Sequence, residues 1–295
     1  MNKPRINLCR LCAIFTSLLI IAISCNKIDT SKEIFNIMGA VEVTPWDPKY
    51  VQTVTQKIYV EEFTGHYCTY CPAGARELKV IMDKDPAVVA TAIHCTSLAN
   101  PRGGIYANNY KTPMGDLICA DFNIAGLPKA TINRVKSGAE WGIGRTQWGN
   151  TIANVDRSNV RAGIQLECTV DETKQEIEAK VGVTIIKELP NPVQICLILQ
   201  EDSIISGQLD AGTPIENYVH MHMLRAGFNG NYGTRLTPNG MLLAQHKYST
   251  TFKLAYGNAF PYSNIPIVIK NCSVVAYLID METKEVLQVE YVQFE

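Results

Sequence analysis

Val60-Glu61-Glu62-Phe63-Thr64-Gly65-His66-Tyr67-Cys68-Thr69-Tyr70-Cys71-Pro72 is the stretch that decides how the rest of the chain is read. Val60 to Phe63 reads as the end of a strand and Thr64-Gly65 as a turn. Pro72 suits the first turn of a helix, where its missing N–H does no harm. Two residues between the cysteines let both sulfurs meet across one helical turn. The first thiol then faces the unpaired N–H groups of that turn, whose partial positive charge stabilises a thiolate. The same spacing is also half of a zinc site, so the surroundings must decide between the two chemistries.

Working outward, residues 56–63 carry the β-formers Ile58, Tyr59, Val60 and Phe63 and form a strand. Leu78, Ile81 and Met82 fall on one helical face, and that helix ends before Pro86. Residues 87–93 are a near-continuous apolar run, as in a buried parallel strand. Together these make a right-handed βαβ unit. A loop around 100–104 follows, then a weaker helix within 107–121. Pro128 directly precedes a short strand, and Trp148, Ile152 and Val155 mark an amphipathic helix over 145–158.

From residue 161 the pattern changes to strands at 163–170, 176–188, 193–200, 248–256, 265–280 and 286–294, with no helix between them. The Gly- and Asn-rich residues 210–245 read as a long irregular connection, and residues 280–285 as a hairpin turn. The expected organisation is two-domain: an α/β domain over 55–160, followed by an all-β immunoglobulin-like sandwich over 161–295.

The N-terminus has the plan of an export signal. Lys3, Arg5 and Arg10 precede an apolar run too short to span a bilayer, and Ala22-Ile23-Ser24-Cys25 closes it. It resembles a bacterial lipoprotein signal over residues 1–24, with Cys25 lipidated; an ordinary cleaved signal is the alternative. Residues 25–54 are then a tether, partly ordered near Trp46. The chain has 295 residues, 46% hydrophobic and 19% charged, with a formal net charge of −1, and nothing in that balance suggests nucleic acid. No cofactor motif is evident.

Export permits disulfides. Beyond the signal cysteines, Cys25 and the central pair, there remain Cys95, Cys119, Cys168, Cys196 and Cys272, an odd number. Cys95 and Cys119 read as buried thiols rather than a pair. Cys168 and Cys196 are candidates for an inter-sheet disulfide or for free core thiols, and Cys272 for a core thiol. His66 has two readings of equal weight: an imidazolium that acidifies Cys68, or a solvated turn residue. His94 ends the buried strand, near where a ligand would sit in an open α/β sheet, with a satisfied edge histidine as the plainer reading, and Arg76 reads as surface. His220 and His222 share a face if extended, but no third metal ligand is identifiable, and no second pair completes a zinc site with Cys68 and Cys71.

Strand, CxxC at a helix start, buried strand, helix and Gly126-Leu127-Pro128 before a strand resemble, in that order, a thioredoxin fold over residues 55–160. The resemblance implies that Pro128 is cis and sits against the two sulfurs. It also implies a buried acid six residues before the first cysteine, where Glu62 stands. Cys68 would attack a substrate disulfide, Cys71 would resolve the mixed disulfide, and Glu62 would shuttle the Cys71 proton. Two departures are plain: Tyr67 replaces the usual tryptophan, and the intervening dipeptide is Thr69-Tyr70. The whole plan resembles the Omp-twenty-eight-related outer-membrane lipoproteins of Bacteroides-type bacteria. That resemblance implies a protein lipid-anchored at the outer membrane. Two functions follow from it: thiol–disulfide exchange with protein thiols or disulfides of the envelope, or an antigen- or adhesin-type protein that binds an unknown surface ligand and keeps a structural disulfide.

Overall fold

The computed structural model describes residues 41–294, so the signal segment, Cys25 and the first part of the tether lie outside the described residues. The end of the expected tether is ordered. Strand β1 (Glu42–Pro45) is followed by helix α1 (Pro48–Thr53), where the Asp47 side chain accepts the Lys49 N–H at 2.9 Å as an N-cap.

Strand β2 (Ile58–Thr64) is buried along its whole length. Helix α2 (Cys71–Lys84) begins at the second cysteine with Pro72 in its first turn. Asp85 closes it with its N–H on Ile81 O. Strand β3 (Val88–His94) returns parallel to β2 with Ile58 opposite Val88. Two 3-10 turns (Ser97–Ala99 and Gly104–Tyr106) lead to helix α3 (Pro113–Asp121), where Thr112 Oγ1 accepts the Gly115 N–H at 2.9 Å. Strand β4 (Lys129–Ile132) runs antiparallel to β2, and the two-residue strand β5 (Ile143–Gly144) pairs with β4. Helix α4 (Arg145–Ala153) stops earlier than expected, because Asn154 turns its amide back onto Asn150 O.

The second half supplies β6 (Ala162–Asp171), β7 (Glu176–Ile185), β8 (Val193–Glu201), β9 (Ile204–Asp210), β10 (Thr213–His220), β11 (Met223–Gly227), β12 (His246–Ala255), β13 (Cys272–Asp280) and β14 (Val286–Gln293). One sheet has the order β1-β12-β7-β6, and β9 and β10 pair only with each other. The third sheet has eight strands in the order β14-β13-β8-β11-β3-β2-β4-β5.

Two expectations change here. Residues 210–245 are not wholly irregular, since they contain β10 and β11. Their polar, weakly alternating composition hid one arm of a hairpin and a strand whose partners lie far away in sequence. The expected boundary near 160 is also bridged: β11 docks parallel on the edge of β3, with Met223 opposite Ala92, and antiparallel on β8. Both sides of residue 160 fall in one compact unit.

Strand register shows how the layers stack. Val88 and Ala92 share a face of β3, and Ala92 lies opposite Met223, which lies opposite Glu201 of β8. Counting back by twos from Glu201 gives Leu199, Leu197 and Ile195. One face of the sheet therefore carries two cores. At one end, α2 and α4 cover it with Leu78, Ile81, Trp148 and Ile152 against Ile58, Val60 and Val88. At the other, β7 packs Ile177, Val181 and Val183 onto Ile195, Leu197 and Val274, a sheet-on-sheet layer. The opposite face receives α3 through Met114 and Ile118 against Phe63, Ile93 and Ile198. Cys196 belongs to that opposite face, whereas Cys168 packs with the four-stranded sheet. They cannot meet, and both are free.

Candidate functional site

The turn after β2 is held by its own backbone. The Cys68 N–H donates to Gly65 O at 3.0 Å and the Tyr67 N–H to Leu98 O at 2.9 Å. A Cβ on Gly65 would stand 2.7 Å from Leu98 O, so only glycine lets the Ser97–Ala99 turn come this close. Cys68 and Cys71 are joined by a disulfide, with Cα atoms 5.4 Å apart. The Leu127–Pro128 peptide bond is cis.

Glu62, Pro128 and the first turn of α2 converge at Gly74. A Cβ built there would meet Glu62 Oε1 at 2.9 Å and Pro128 Cβ at 3.1 Å. Glu62 is 3% exposed and its Oε1 has no hydrogen-bond partner. Burial alone raises its carboxyl to about 8, so it is mostly protonated at neutral pH. Glu62 and Cys71 line the same cleft.

The disulfide is closed off, with Cys68 at 3% and Cys71 at 2% exposure. On one side the 97–106 loop covers it, with the Arg102 guanidinium 3.9 Å above the Tyr67 ring. On the other side lies the β9–β10 hairpin. Gln208 Nε2 donates to Gly65 O and Cys68 O, the Leu209 N–H to His66 O, and the Ala211 N–H to Thr69 O. The Gly212 N–H adds Thr69 Oγ1 at 2.7 Å, and Arg76 forms a two-pronged ion pair with Asp210. Arg76 is therefore more than a surface residue: it pins the hairpin to α2. Gly207 lies so close to Ile105 O that a Cβ would stand 2.2 Å away. Of the residues between the cysteines, Tyr70 alone projects outward, at 66% exposure.

The histidines depart from both sequence readings. His66 is fully buried rather than solvated, and burial lowers its pKa to about 4, so it is neutral and brings no imidazolium to Cys68. Its ring packs 4.7 Å from Tyr110, which also stacks on His94 and touches His220. Burial likewise holds His94 well below its ordinary value and lowers His220 to about 3. His220 and His222 do not share a strand face. The strand ends at His220, and His222 takes a positive φ of 55° and pairs with Asp202 at 3.0 Å. Among the described residues, no group of three or more His, Cys, Asp or Glu is placed to hold a metal ion.

One pair escaped the sequence reading altogether. Glu61, next to Glu62 but on the other face of β2, is fully buried against Arg134, with contacts of 2.5 and 2.8 Å, and accepts Thr131 Oγ1. Arg134 also lies over the Phe122 and Tyr277 rings. A charge beside an apolar run was the only signal, and its partner lies 73 residues away. Cys95, Cys119 and Cys272 are free and buried.

Against known families, the model of outer membrane protein Omp28 matches residues 116–295, more than half of the chain. The chain belongs to this family. The outer membrane is accordingly its location, as the sequence resemblance implied. Among solved structures, the chain is similar to HBP35 of Porphyromonas gingivalis, with a TM-score of 0.63 and 14% identity over 82% of this chain and 76% of that one. A domain of the outer membrane lipoprotein Omp28 from Porphyromonas gingivalis is 22% identical over 48% of this chain and 93% of its own, with a TM-score of 0.32. A protein from Agrobacterium tumefaciens gives a TM-score of 0.46 at 12% identity over 82% of this chain and 96% of its own. No curated protein matches the chain.

Proposed function

We propose that residues 58–153 form a thioredoxin-like module, lipid-anchored to the outer membrane through Cys25, whose Cys68–Cys71 pair exchanges disulfides with envelope proteins. The observation that carries this reading is the meeting of a helix-start disulfide, a cis-Pro128 peptide and an unpartnered, buried Glu62 at one place. Beyond residue 160, β6, β7 and β12 form a second layer that packs on β8 and β13 of the sheet shared with the module.

The oxidised pair sets the direction of chemistry. A substrate thiolate attacks Cys68 Sγ, the Cys68–Cys71 bond breaks, and Cys71 leaves as a thiolate that takes the Glu62 proton. A second substrate thiolate then attacks the substrate sulfur of the mixed disulfide. Cys68 leaves as a thiolate beside the helix N-terminus. The substrate ends oxidised and the pair reduced; the reverse sequence reduces a substrate disulfide. The test is direct. Oxidised protein should oxidise a model dithiol peptide, and Cys71→Ser should trap a mixed disulfide on Cys68. Failure of both, with a Cys68 thiol no more acidic than a free cysteine, overturns the reading.

One observation favours a second function. Cys68 and Cys71 are both buried, as suits a structural disulfide in a binding protein whose β layers meet a surface ligand. In that case the disulfide in protein taken from cells is fully oxidised and resists mild reductant.

A further inference from the structure

A cleft of about 570 Å³ runs beside α2, between that helix and the β9–β10 hairpin, with Cys71 and Glu62 at one end. Its volume falls in the range of about 300–1,000 Å³ typical of small-molecule sites. Its walls are apolar. Leu78 and Val88 form the floor. Val219 (48% exposed), Met221 (42%) and Tyr291 (43%) leave large apolar surface uncovered along the rim.

The charges around the cleft are already spent on one another. Arg76 is paired with Asp210 and Lys79 with Asp83, and Asp202 accepts the His222 backbone N–H. At the closed end, by contrast, three side chains more than nine-tenths buried lack partners: Glu62 at Oε1, His94 at both ring nitrogens and His220 at Nε2. Buried polar atoms without partners are costly, and a bound group that completes their hydrogen bonds recovers that cost. Burial favours the uncharged forms of all three groups, so the end of the cleft offers hydrogen bonds without net charge.

We propose that this cleft binds an uncharged lipophile, an apolar chain or ring system carrying one carbonyl or hydroxyl head, with the head on Glu62 and His94 and the apolar part along Leu78, Val219 and Met221. An anionic or cationic head finds no free countercharge there and must leave water for an apolar end. The site stands whether or not Cys68 and Cys71 exchange disulfides, since no bond is made or broken in it.

The test is fluorescence titration of the full chain with the neutral dye N-phenyl-1-naphthylamine. The expected result is saturable binding of one dye per chain, displaced by decan-1-ol at least tenfold more effectively than by decanoate or decylammonium. Ala75→Trp, which fills the cleft, and Met221→Glu, a change at a solvent-facing position, should each weaken binding at least tenfold. Thr151→Trp, in a separate cavity of about 520 Å³ lined by Asn154 and Trp141, should leave it unchanged. Absence of saturable binding overturns the proposal, as does wild-type binding in both cleft variants. Equal displacement by alcohol, acid and amine also overturns it.

Discussion

Glu61 and Glu62 are neighbours on one strand and are treated in opposite ways by the two faces of the sheet. Glu61 points to the face where Arg134 and Thr131 complete its hydrogen bonds and the Phe122 and Tyr277 rings pack on the Arg134 guanidinium. Glu62 points to the face of the disulfide, where its Oε1 meets no donor and burial raises its carboxyl to about 8. The first is a charge matched by structure. The second is a carboxyl kept protonated by the lack of any match. Because side chains alternate along a strand, adjacent positions place a paired carboxyl and an unpaired one back to back without contact.

The sharpest way to break this contrast is Arg134→Met. It strands the Glu61 carboxylate in a dry core and should cost about 3–5 kcal/mol, read as a fall in the urea midpoint at pH 7. A loss below about 1 kcal/mol would mean that Glu61 is not held by the pair. Glu62→Gln should act in the other direction. Its folded pKa near 8 lies above the ordinary glutamate value of 4.5, so the folded state holds the proton longer. The wild type therefore loses stability as pH rises from about 4.5 to 8, and the loss is complete above that window. Glutamine removes the loss, so the variant should be more stable at pH 7 by on the order of 3 kcal/mol and equal to wild type at pH 4. Parallel stability curves across that range would refute the buried, unmatched carboxyl.

The remaining tests concern the cover over the disulfide. Gln208→Ala removes the side-chain bonds to Gly65 O and Cys68 O and should speed reduction by dithiothreitol by roughly 5–30-fold, in line with about 1–2 kcal/mol of lost hydrogen bonding. An unchanged rate would show that the hairpin does not limit access. Arg76→Ala breaks a largely exposed ion pair and should have the smallest effect, about 0–1 kcal/mol in stability, with a measurable rise in the same reduction rate.

Sequence periodicity was informative wherever residues answer to near neighbours. Val60 to Phe63, the apolar run 87–93 and the Leu78-Ile81-Met82 face lie where strands and a helix were expected, because each pattern reflects local burial. What stayed hidden depends on contacts far along the chain. His66 looks like a turn residue until Tyr106 and Tyr110 close over it. Residues 204–220 alternate too weakly to announce a hairpin, and their hold on the site comes from backbone N–H groups, which every sequence has. The sheet passes from one half to the other at one edge, Met223 against Ala92, and no composition shift marks a meeting of that kind.

That shared edge sets how the molecule can be taken apart. A chain ended at residue 160 would leave β3 as an outer strand, with the Ala92 N–H that donates to His222 O at 2.7 Å and a row of apolar residues turned to water. Unpaired edges of this sort recruit other chains. A fragment carrying Cys68 and Cys71 without β11 would therefore come out of cells as aggregate. Chemistry measured on the cysteines belongs to the whole polypeptide, because the strands that follow residue 160 complete the sheet beneath them.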